Sequence, residues 1–559
     1  MSKLLRMAQA PAAGWLMFFL AASMLLGFMN LYAGLYDEAI LLTGGWNVAN
    51  GAVPHRDFYA NYGPAQYYVL GGLFKLFGPS FLAARVYDVI VRAAIVAIAY
   101  QLLVNRVRAP VALAAAGVCA LWMGGVGFYL YPTVPALLFS LMGTMFLLGR
   151  DGVPASAKGF ATAGALTGLV ALFRYDVGFY ALATHAFVLL TISWAGTGPR
   201  LERAGSFVRR FFLYSTGTAL VFMPPAALLL LAGAGPGFLH DIIAYPSEHY
   251  VAMRSLPFPG WAAILAVPPE AASYLPFAAV LVAAACYPRL GRTPDAPSSS
   301  YDVDRIFVVL LGTLCLVFTL KGLVRISAIH MLLAIIPATL LLAFIVDRFR
   351  ILPLAGKAAL ALTSLVAVAA PTYKALQLAK GIAEDPGMSL AGRLLGASLK
   401  PGVGVALASR PARTSLETAC AADYIAAVTR PGERIFSGTQ RHDKIFINNL
   451  MLYFASGRRP GTHWYQFDPG LQTRSDTQAR IIADLSKNDV RWVVTDGNWD
   501  DMVEPNGSAV SSGVRVLDDY LSRNYREVAR FGKITLRQLR SSPSLRHRTA
   551  QCAMISQLS

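Results

Sequence analysis

The stretch from Trp15 to Tyr36 holds no charged side chain and is longer than the roughly 20 residues needed to cross the hydrocarbon of a bilayer. Lys3 and Arg6 precede it in the manner of a secretion signal. Its apolar run exceeds the roughly 7–15 residues of such a segment, and no small-x-small cleavage site follows. It therefore reads as an uncleaved first helix. Further apolar runs follow near 85–104, 110–128, 132–149, 159–173, 177–195, 211–233, 273–288, 306–322, 331–346 and 354–372. Hydrophobic residues make up 55% of the chain and charged ones 14%, against about 25% charged in soluble proteins. That balance excludes a disordered chain, and five cysteines exclude a disulfide scaffold. The expectation is a polytopic α-helical membrane protein with about eleven transmembrane helices.

A net charge of +18 would suit nucleic acid if the cations formed one patch, but their placement follows the spans instead. With the N-terminus in the cytoplasm, the inside connections hold 16 basic residues against six acidic ones. The outside loops and adjoining helix ends up to residue 372 hold eight of each. This positive-inside asymmetry supports that orientation, and an odd number of spans then puts everything after Pro371 on the far side of the membrane. The tail carries 25 basic against 17 acidic residues, which suits anionic lipid headgroups or phosphate-bearing glycans and requires no nucleic acid. The location expected is the cytoplasmic (inner) membrane, crossed many times.

The domain plan has a transmembrane part at 1–372, with outer loops at 37–84 and 234–273. A basic, Gly-rich junction follows at 373–413, then an extracytoplasmic α/β domain at 414–559. Within the first loop, Ala65–Phe77 is aromatic-rich, bounded by Pro64 and Gly78-Pro79, and suits a helix lying in the membrane interface. Thr293–Ser300 has the composition of a flexible linker. In the tail, strands are expected at Arg434–Ser437 and Arg491–Thr495, and helices at Asn448–Ala455, Thr477–Ser486 (capped by Asp476) and Val514–Arg523. A hairpin is expected over Tyr525–Leu539, turning at Gly532-Lys533. Cys119, Cys286 and Cys315 fall within helices as inert core residues, while Cys420 and Cys552 lie in the oxidising compartment, paired or not. There is no internal repeat, phosphate-cradling loop, zinc spacing or nucleophile elbow.

The acidic pair Asp37-Glu38 ends the first apolar run. Charge beside a membrane is costly unless paired or used, so the pair is either a solvated helix end or a working group. An outside carboxylate at the membrane surface is placed to take a proton from an acceptor hydroxyl.

The stretch from Tyr36 to Arg85 reads Y-D-E, then G-A-V-P-H-R-D-F, Y-G-P-A, F-K-L-F-G-P-S and A-A-R. It closely resembles the first outer loop of the GT-C glycosyltransferases that use polyprenyl-phosphate sugars. That group includes the protein O-mannosyltransferases and the lipid A aminoarabinose transferases. The resemblance covers most of the chain, and implies a GT-C-like fold and transfer of a sugar to a glycan, lipid or protein hydroxyl. By it, Asp37 matches the catalytic base and Glu38 the adjacent acidic position, the two forming the expected catalytic pair, while Asp57 matches the loop's second acid, expected in substrate binding. Gly63-Pro64 stands where the family often has Pro-Pro, which bears on loop shape and not on the base.

Such a transfer needs a cation at the leaving phosphate. Candidates are Arg56, Arg174 (in a turn with Asp176), His249 and Arg254 in a loop resembling the family's mobile donor-binding loop, and Lys321 and Arg325 near His330. Each has a plainer reading, such as an Arg174–Asp176 pair or a Lys321 reaching for headgroups. Trp46, Tyr59 and Tyr62 are sugar-stacking candidates or interface anchors, and the Arg441-His442-Asp443 and His463-Trp464-Tyr465 triplets suit structural or acceptor contacts. No metal-ligand spacing is present, so no cofactor is assigned; a divalent cation is compatible with the chemistry. The partners implied are a polyprenyl-phosphate-linked sugar donor, a hydroxyl-bearing acceptor and membrane lipids. The rival readings are a lipid-carrier flippase or transporter, for which Pro224-Pro225 would mark a broken helix, and a non-catalytic assembly protein.

Overall fold

The computed structural model describes residues 11–149, 156–195, 198–290, 303–395 and 414–543. Each expected apolar run falls on a helix, since a segment deprived of water satisfies its own N–H and C=O groups by coiling. In chain order these are α1 (Pro11–Phe28), α4 (Phe81–Val104), α5 (Ala109–Gly125), α6 (Thr133–Leu148), α7 (Ala157–Phe173) and α8 (Tyr175–Trp194). They continue as α9 (Arg200–Leu231), α10 (Leu275–Cys286), α11 (Val303–Gly322), α12 (Leu332–Asp347) and α13 (Leu354–Glu384). Helices α8, α9, α11, α13 and the 268–289 segment around α10 are long and apolar enough to cross a membrane. Helices α1, α5, α6, α7 and α12 are apolar but shorter. Helix α12 is buried along nearly its whole length and forms the centre of the bundle.

Three boundaries depart from expectation. Helix α1 stops at Phe28 rather than Tyr36, because the next residues pair with another segment: Leu31 N–H donates to the Met388 carbonyl at 2.7 Å, beside an Asn30–Ser389 bridge. Helix α13 runs through Pro371 to Glu384, so the first part of the expected junction is helical. The first loop holds two helices, α2 (Asp37–Ala49) and the expected α3 (Pro64–Phe77). Helix α2 has both acids in its first turn, where the helix dipole favours them, and stops at Asn50-Gly51, with Gly51 at φ 87°.

The bundle is also less free of charge than hydropathy suggests. Helix α4 buries Arg85, Asp88 and Arg92. Asp88 Oδ2 accepts from Arg92 Nε at 2.7 Å, and Arg92 also donates to the Tyr129 carbonyl at 3.3 Å. Helix α9 is continuous through Pro224 and Pro225, so those prolines do not mark a broken helix.

The C-terminal unit is a five-stranded sheet with helices, in the order β2-β1-β3-β5-β4. Its strands are β1 (Arg434–Thr439), β2 (Arg459–Pro460), β3 (Trp492–Asp496), β4 (Tyr525–Phe531) and β5 (Ile534–Leu539). Strand β1 is parallel to β2 and β3, and β5 is antiparallel to β3 and β4. The β4–β5 turn falls at Gly532, φ 55°. Its helices are α14 (Leu416–Val428), α15 (Met451–Ser456), α16 (Ser475–Lys487) and α17 (Val516–Asn524). Asp476 is not the cap of α16: the cap residue is Arg474, and the Asp476 carboxylate accepts from Arg474 Nε at 3.1 Å instead. Cys119, Cys286 and Cys315 are buried and free. Cys420 is disulfide-bonded; Cys552, the 293–300 linker and residues 396–413 of the junction lie outside the described residues.

Helices α7 and α9 meet backbone to backbone. A Cβ on Gly164 would stand 1.8 Å from the Tyr214 carbonyl, and one on Gly217 would stand 2.0 Å from the Ala161 carbonyl. Small residues at such a crossing let helices approach where lipid supplies no hydrophobic drive. Gly217→Leu should therefore cost about 1–3 kcal/mol by overpacking, read as a lower thermal midpoint in detergent. Gly205→Leu, on the same helix with open space around it, should leave the midpoint unchanged.

Candidate active site

At the end of the bundle that carries α2 and α3, a cavity of about 510 Å³ opens between the helix ends, the 234–254 segment and the C-terminal unit. The apolar helices deliver their polar termini to it: Arg174 at the α7–α8 junction, Lys321 in the last turn of α11, and Arg325 and His330 in the turn before α12. The 234–254 segment, an irregular run of short helical turns, contributes Asp241, Tyr245, Tyr250 and Arg254. The first loop contributes Tyr36, Asp37, Tyr59 and Tyr62, and the C-terminal unit Phe446 and Asp468.

Among the lining charges, the arginines are already paired. Arg174 makes a two-point contact with Asp176, at 2.9 and 2.6 Å, and lies over the Tyr62 ring. Arg254, buried, donates to Asp468 Oδ1 at 2.9 Å. Arg325 reaches Glu504 Oε2 at 2.7 Å. Glu504 is held below its ordinary range: partial burial opposes ionisation, but hydrogen bonds from Arg325 and Asn506 outweigh it. Among the described residues Lys321 has no carboxylate partner; its ammonium bonds the Tyr131 hydroxyl and lies over that ring. Burial would raise the Tyr131 phenol, yet Lys321 and Arg174 draw it below its ordinary value. His330 is pushed well below its usual value by burial and by the surrounding cations, so its ring is neutral and its Nδ1 lies 2.7 Å from Ser327 Oγ.

Asp37 is the exception. Its side chain is open to the cavity lumen, and it forms no ion pair or hydrogen bond with another described residue. Enclosure by the cavity walls raises its pKa, and Asp468 adds to this; Arg254, Arg325 and Lys321 pull the other way without cancelling it. Glu38, one residue on, faces away into the protein. Its Oε2 accepts from Arg85 Nη2 at 2.8 Å and Gly34 N–H at 2.9 Å. Burial pushes its carboxyl up to about 7 against those two partners. Arg85 also donates to the Tyr32 carbonyl at 2.8 Å, so the pair ties the chain between α1 and α2 to α4.

Of the residues singled out from the sequence, Asp37, Arg174, Asp176, Arg254, Lys321 and Arg325 converge on the cavity, while Glu38, Arg56, Asp57 and His249 do not line it. Arg56 and Asp57 pair with each other on the loop surface at 2.7 Å, and Asp57 also accepts from Val53 N–H. His249 Nε2 lies 3.0 Å from Arg474 on the outside of its segment. Tyr59 and Tyr62 line the cavity and Trp46 does not. His442 is buried against Asp518 at 2.7 Å, while the His463 carbonyl accepts from Tyr59 N–H at 3.0 Å and the Tyr465 hydroxyl donates to the Ile40 carbonyl.

Asp468, Glu504, Tyr131 and Asp241 went unrecognised in the sequence. Asp241 is buried and accepts from His55, His240 and Ala60 N–H, which fastens the 234–254 segment to the first loop. Only Asp241 carried a signal, as an acid within a loop already marked as donor-binding. Among the described residues no group of three metal-ligating side chains occurs.

No protein-family profile and no curated protein matches the sequence. Similar solved structures include ArnT from Cupriavidus metallidurans bound to undecaprenyl phosphate, at 14% identity and TM-score 0.48, covering 95% of this chain and 98% of that one. The same protein in the apo state has 15% identity and TM-score 0.49, covering 94% and 98%. An Archaeoglobus fulgidus oligosaccharyltransferase tethered with an acceptor peptide has 12% identity and TM-score 0.46, covering 87% and 69%. Both proteins are of the GT-C class that the first loop resembles. Likeness at these scores leaves the activity of this chain to the chemistry of its own cavity.

The Glu38–Arg85 pair has a stability consequence. Removing one member of a buried ion pair strands the other charge, at a cost of about 3–5 kcal/mol. Glu38→Ala should lower the denaturation midpoint accordingly, and Glu38→Ala with Arg85→Met should recover part of the loss.

Proposed function

We propose that the chain is an integral membrane glycosyltransferase of the outer face of the cytoplasmic membrane. It moves a sugar from a polyprenyl-phosphate donor to a hydroxyl of a glycan, lipid or protein. The observation that carries this reading is Asp37: a carboxylate with no partner among the described residues, open to a cavity that also presents four cations. On this reading all eleven apolar helices cross the membrane with the N-terminus in the cytoplasm. Residues 1–372 form the catalytic part, 373–413 the junction, and 414–559 an outer domain that closes the cavity.

The acceptor oxygen forms a bond to the anomeric carbon while the bond from that carbon to the phosphate oxygen breaks. Asp37 takes the acceptor proton as general base. The carrier phosphate departs with the bonding electrons, and its growing charge is met by Lys321, Arg174, Arg254 and Arg325. Displacement from the face opposite the phosphate inverts the anomeric centre. Glu38 holds the helix start that presents Asp37. Asp57, Arg56 and His249 lie at the outer surface, where they would meet acceptor or headgroup rather than the reacting atoms.

A carrier flippase is the second reading, favoured by one observation, the buried Asp88–Arg92 pair within α4. That pair lies outside the cavity lining, and its Arg92 is also bonded to the Met123 and Tyr129 carbonyls.

Sugar released from a labelled polyprenyl-phosphate donor decides between them. Asp37→Asn should lose about 10²–10⁴-fold in transfer rate; undiminished transfer removes Asp37 from its role, and movement of intact carrier without transfer favours the flippase. The base works only when ionised, and its pKa is raised. Transfer by the native protein should therefore fall as pH drops through a value above the ordinary aspartate range, and the residual rate of the Asn variant should lack that limb.

A further inference from the structure

We propose that Asp468 is a positioning residue for the transfer reaction, a carboxylate brought in by the C-terminal unit that holds Arg254 and Tyr36 beside the helix start bearing Asp37. This rests on the glycosyltransferase reading and assigns part of its machinery to the C-terminal unit.

Asp468 sits in the irregular stretch between β2 and α16, outside the sheet, and is buried. Its Oδ1 accepts from Arg254 Nη2 at 2.9 Å and lies 3.2 Å from the Tyr36 hydroxyl, which also donates to the Phe467 carbonyl. Its Oδ2 accepts from Gln466 Nε2 at 2.8 Å, with the Tyr59 hydroxyl at 3.4 Å. Its own N–H is fixed on Gln472 Oε1 at 2.8 Å. One carboxylate thus joins three parts of the chain that share no sheet and no helix: the residue before Asp37, the end of the 234–254 segment, and the C-terminal unit.

Stability alone is a poor reason for such a junction. Desolvating a buried pair offsets much of its attraction, and apolar residues of like volume commonly do as well. What the pair does achieve is local. Arg254 stands next to the base with its charge already answered, so it stays in place without neutralising Asp37. The charges that act most strongly on Asp37 are those of Arg254, Asp468, Arg325 and Lys321, with the phenols of Tyr36, Tyr62 and Tyr129 around them; Arg174 and Asp176, paired with each other, line the same cavity. Asp468 is the one negative charge among the four. Its removal leaves three cations acting on the base, which makes Asp37 a weaker base and lets Arg254 turn toward it.

The test uses the full chain in detergent with a labelled polyprenyl-phosphate sugar, comparing native protein, Asp468→Asn and Asp468→Glu over a range of pH. Asp468→Asn should lower kcat by about 10- to 100-fold, the scale of a misplaced reacting group. KM for the donor should stay unchanged or fall, and the acid limb should move to lower pH. Asp468→Glu should keep the native acid limb and recover part of kcat. Asp468→Asn with native thermal midpoint, kcat and acid limb overturns the proposal. If Asp468→Asn does not fold, Asp468→Glu decides: a displaced carboxylate should reduce kcat at an unmoved acid limb, and full native kcat overturns the proposal. Native protein that releases no sugar overturns the glycosyltransferase reading instead, so the two failures are distinct.

Discussion

A charge enclosed by protein is costly unless an opposite charge or several donors answer it, and that constraint organises the polar end of this bundle. Arg174, Arg254 and Arg325 each have a carboxylate, and Glu38 has Arg85. Against that background Asp37, open to the lumen and without a partner among the described residues, is informative. Its neighbour shows how the arrangement arises. Successive residues on a helix project about 100° apart, so once α2 begins at Asp37, the two adjacent acids cannot share one environment. Glu38 turns inward to Arg85 and anchors the helix start; Asp37 is left facing the lumen. The anchoring of one acid makes the exposure of the other possible.

The same logic explains the division of labour between bundle and C-terminal unit. Apolar helices can supply cations at their ends, where Lys321 sits in the last turn of α11 and Arg325 just beyond it, and cations there suit the helix dipole. They supply few carboxylates. Asp468 and Glu504, the partners of Arg254 and Arg325, come from the irregular stretches around β2, α16 and β3. The C-terminal unit is therefore part of the cavity wall in charge as well as in shape; the Tyr465 hydroxyl bonded to Ile40 of α2, and the Leu450 N–H bonded to the Leu35 carbonyl just before α2, hold it there.

How much of this was legible in the sequence follows from what each signal depends on. Hydropathy depends on runs of residues, so the apolar helices were found. The ends of α1 and α13 were not, since Leu31 and Met388 pair across more than half the chain. Arg85, Asp88 and Arg92 were submerged in an apolar average, although their spacing on one helix was visible. Helix α2 had local signals, the acids at its start and Asn50-Gly51 at its end, which the label of a loop concealed. Asp37, Arg174, Lys321 and Arg325 were legible because charge next to an apolar run is conspicuous. Asp468 and Glu504 sit among ordinary polar residues of a soluble-looking unit, and only folding places them against arginines far away in sequence.

The pairing pattern also orders the cations by their availability to an incoming phosphate. Drawing Arg254 from Asp468, or Arg325 from Glu504, would leave an enclosed carboxylate without its partner, a cost of several kcal/mol, and Arg174 is held by a two-point contact to Asp176. Drawing Lys321 from Tyr131 leaves a neutral hydroxyl, and an unmet hydroxyl costs about 1–3 kcal/mol. Lys321 also sits at a helix end on a flexible stem, able to follow charge as it develops. On the glycosyltransferase reading the carrier phosphate therefore meets Lys321 first. The paired arginines contribute as fixed, already-compensated dipoles around it, so the cavity can bind an anion without first breaking its own scaffold.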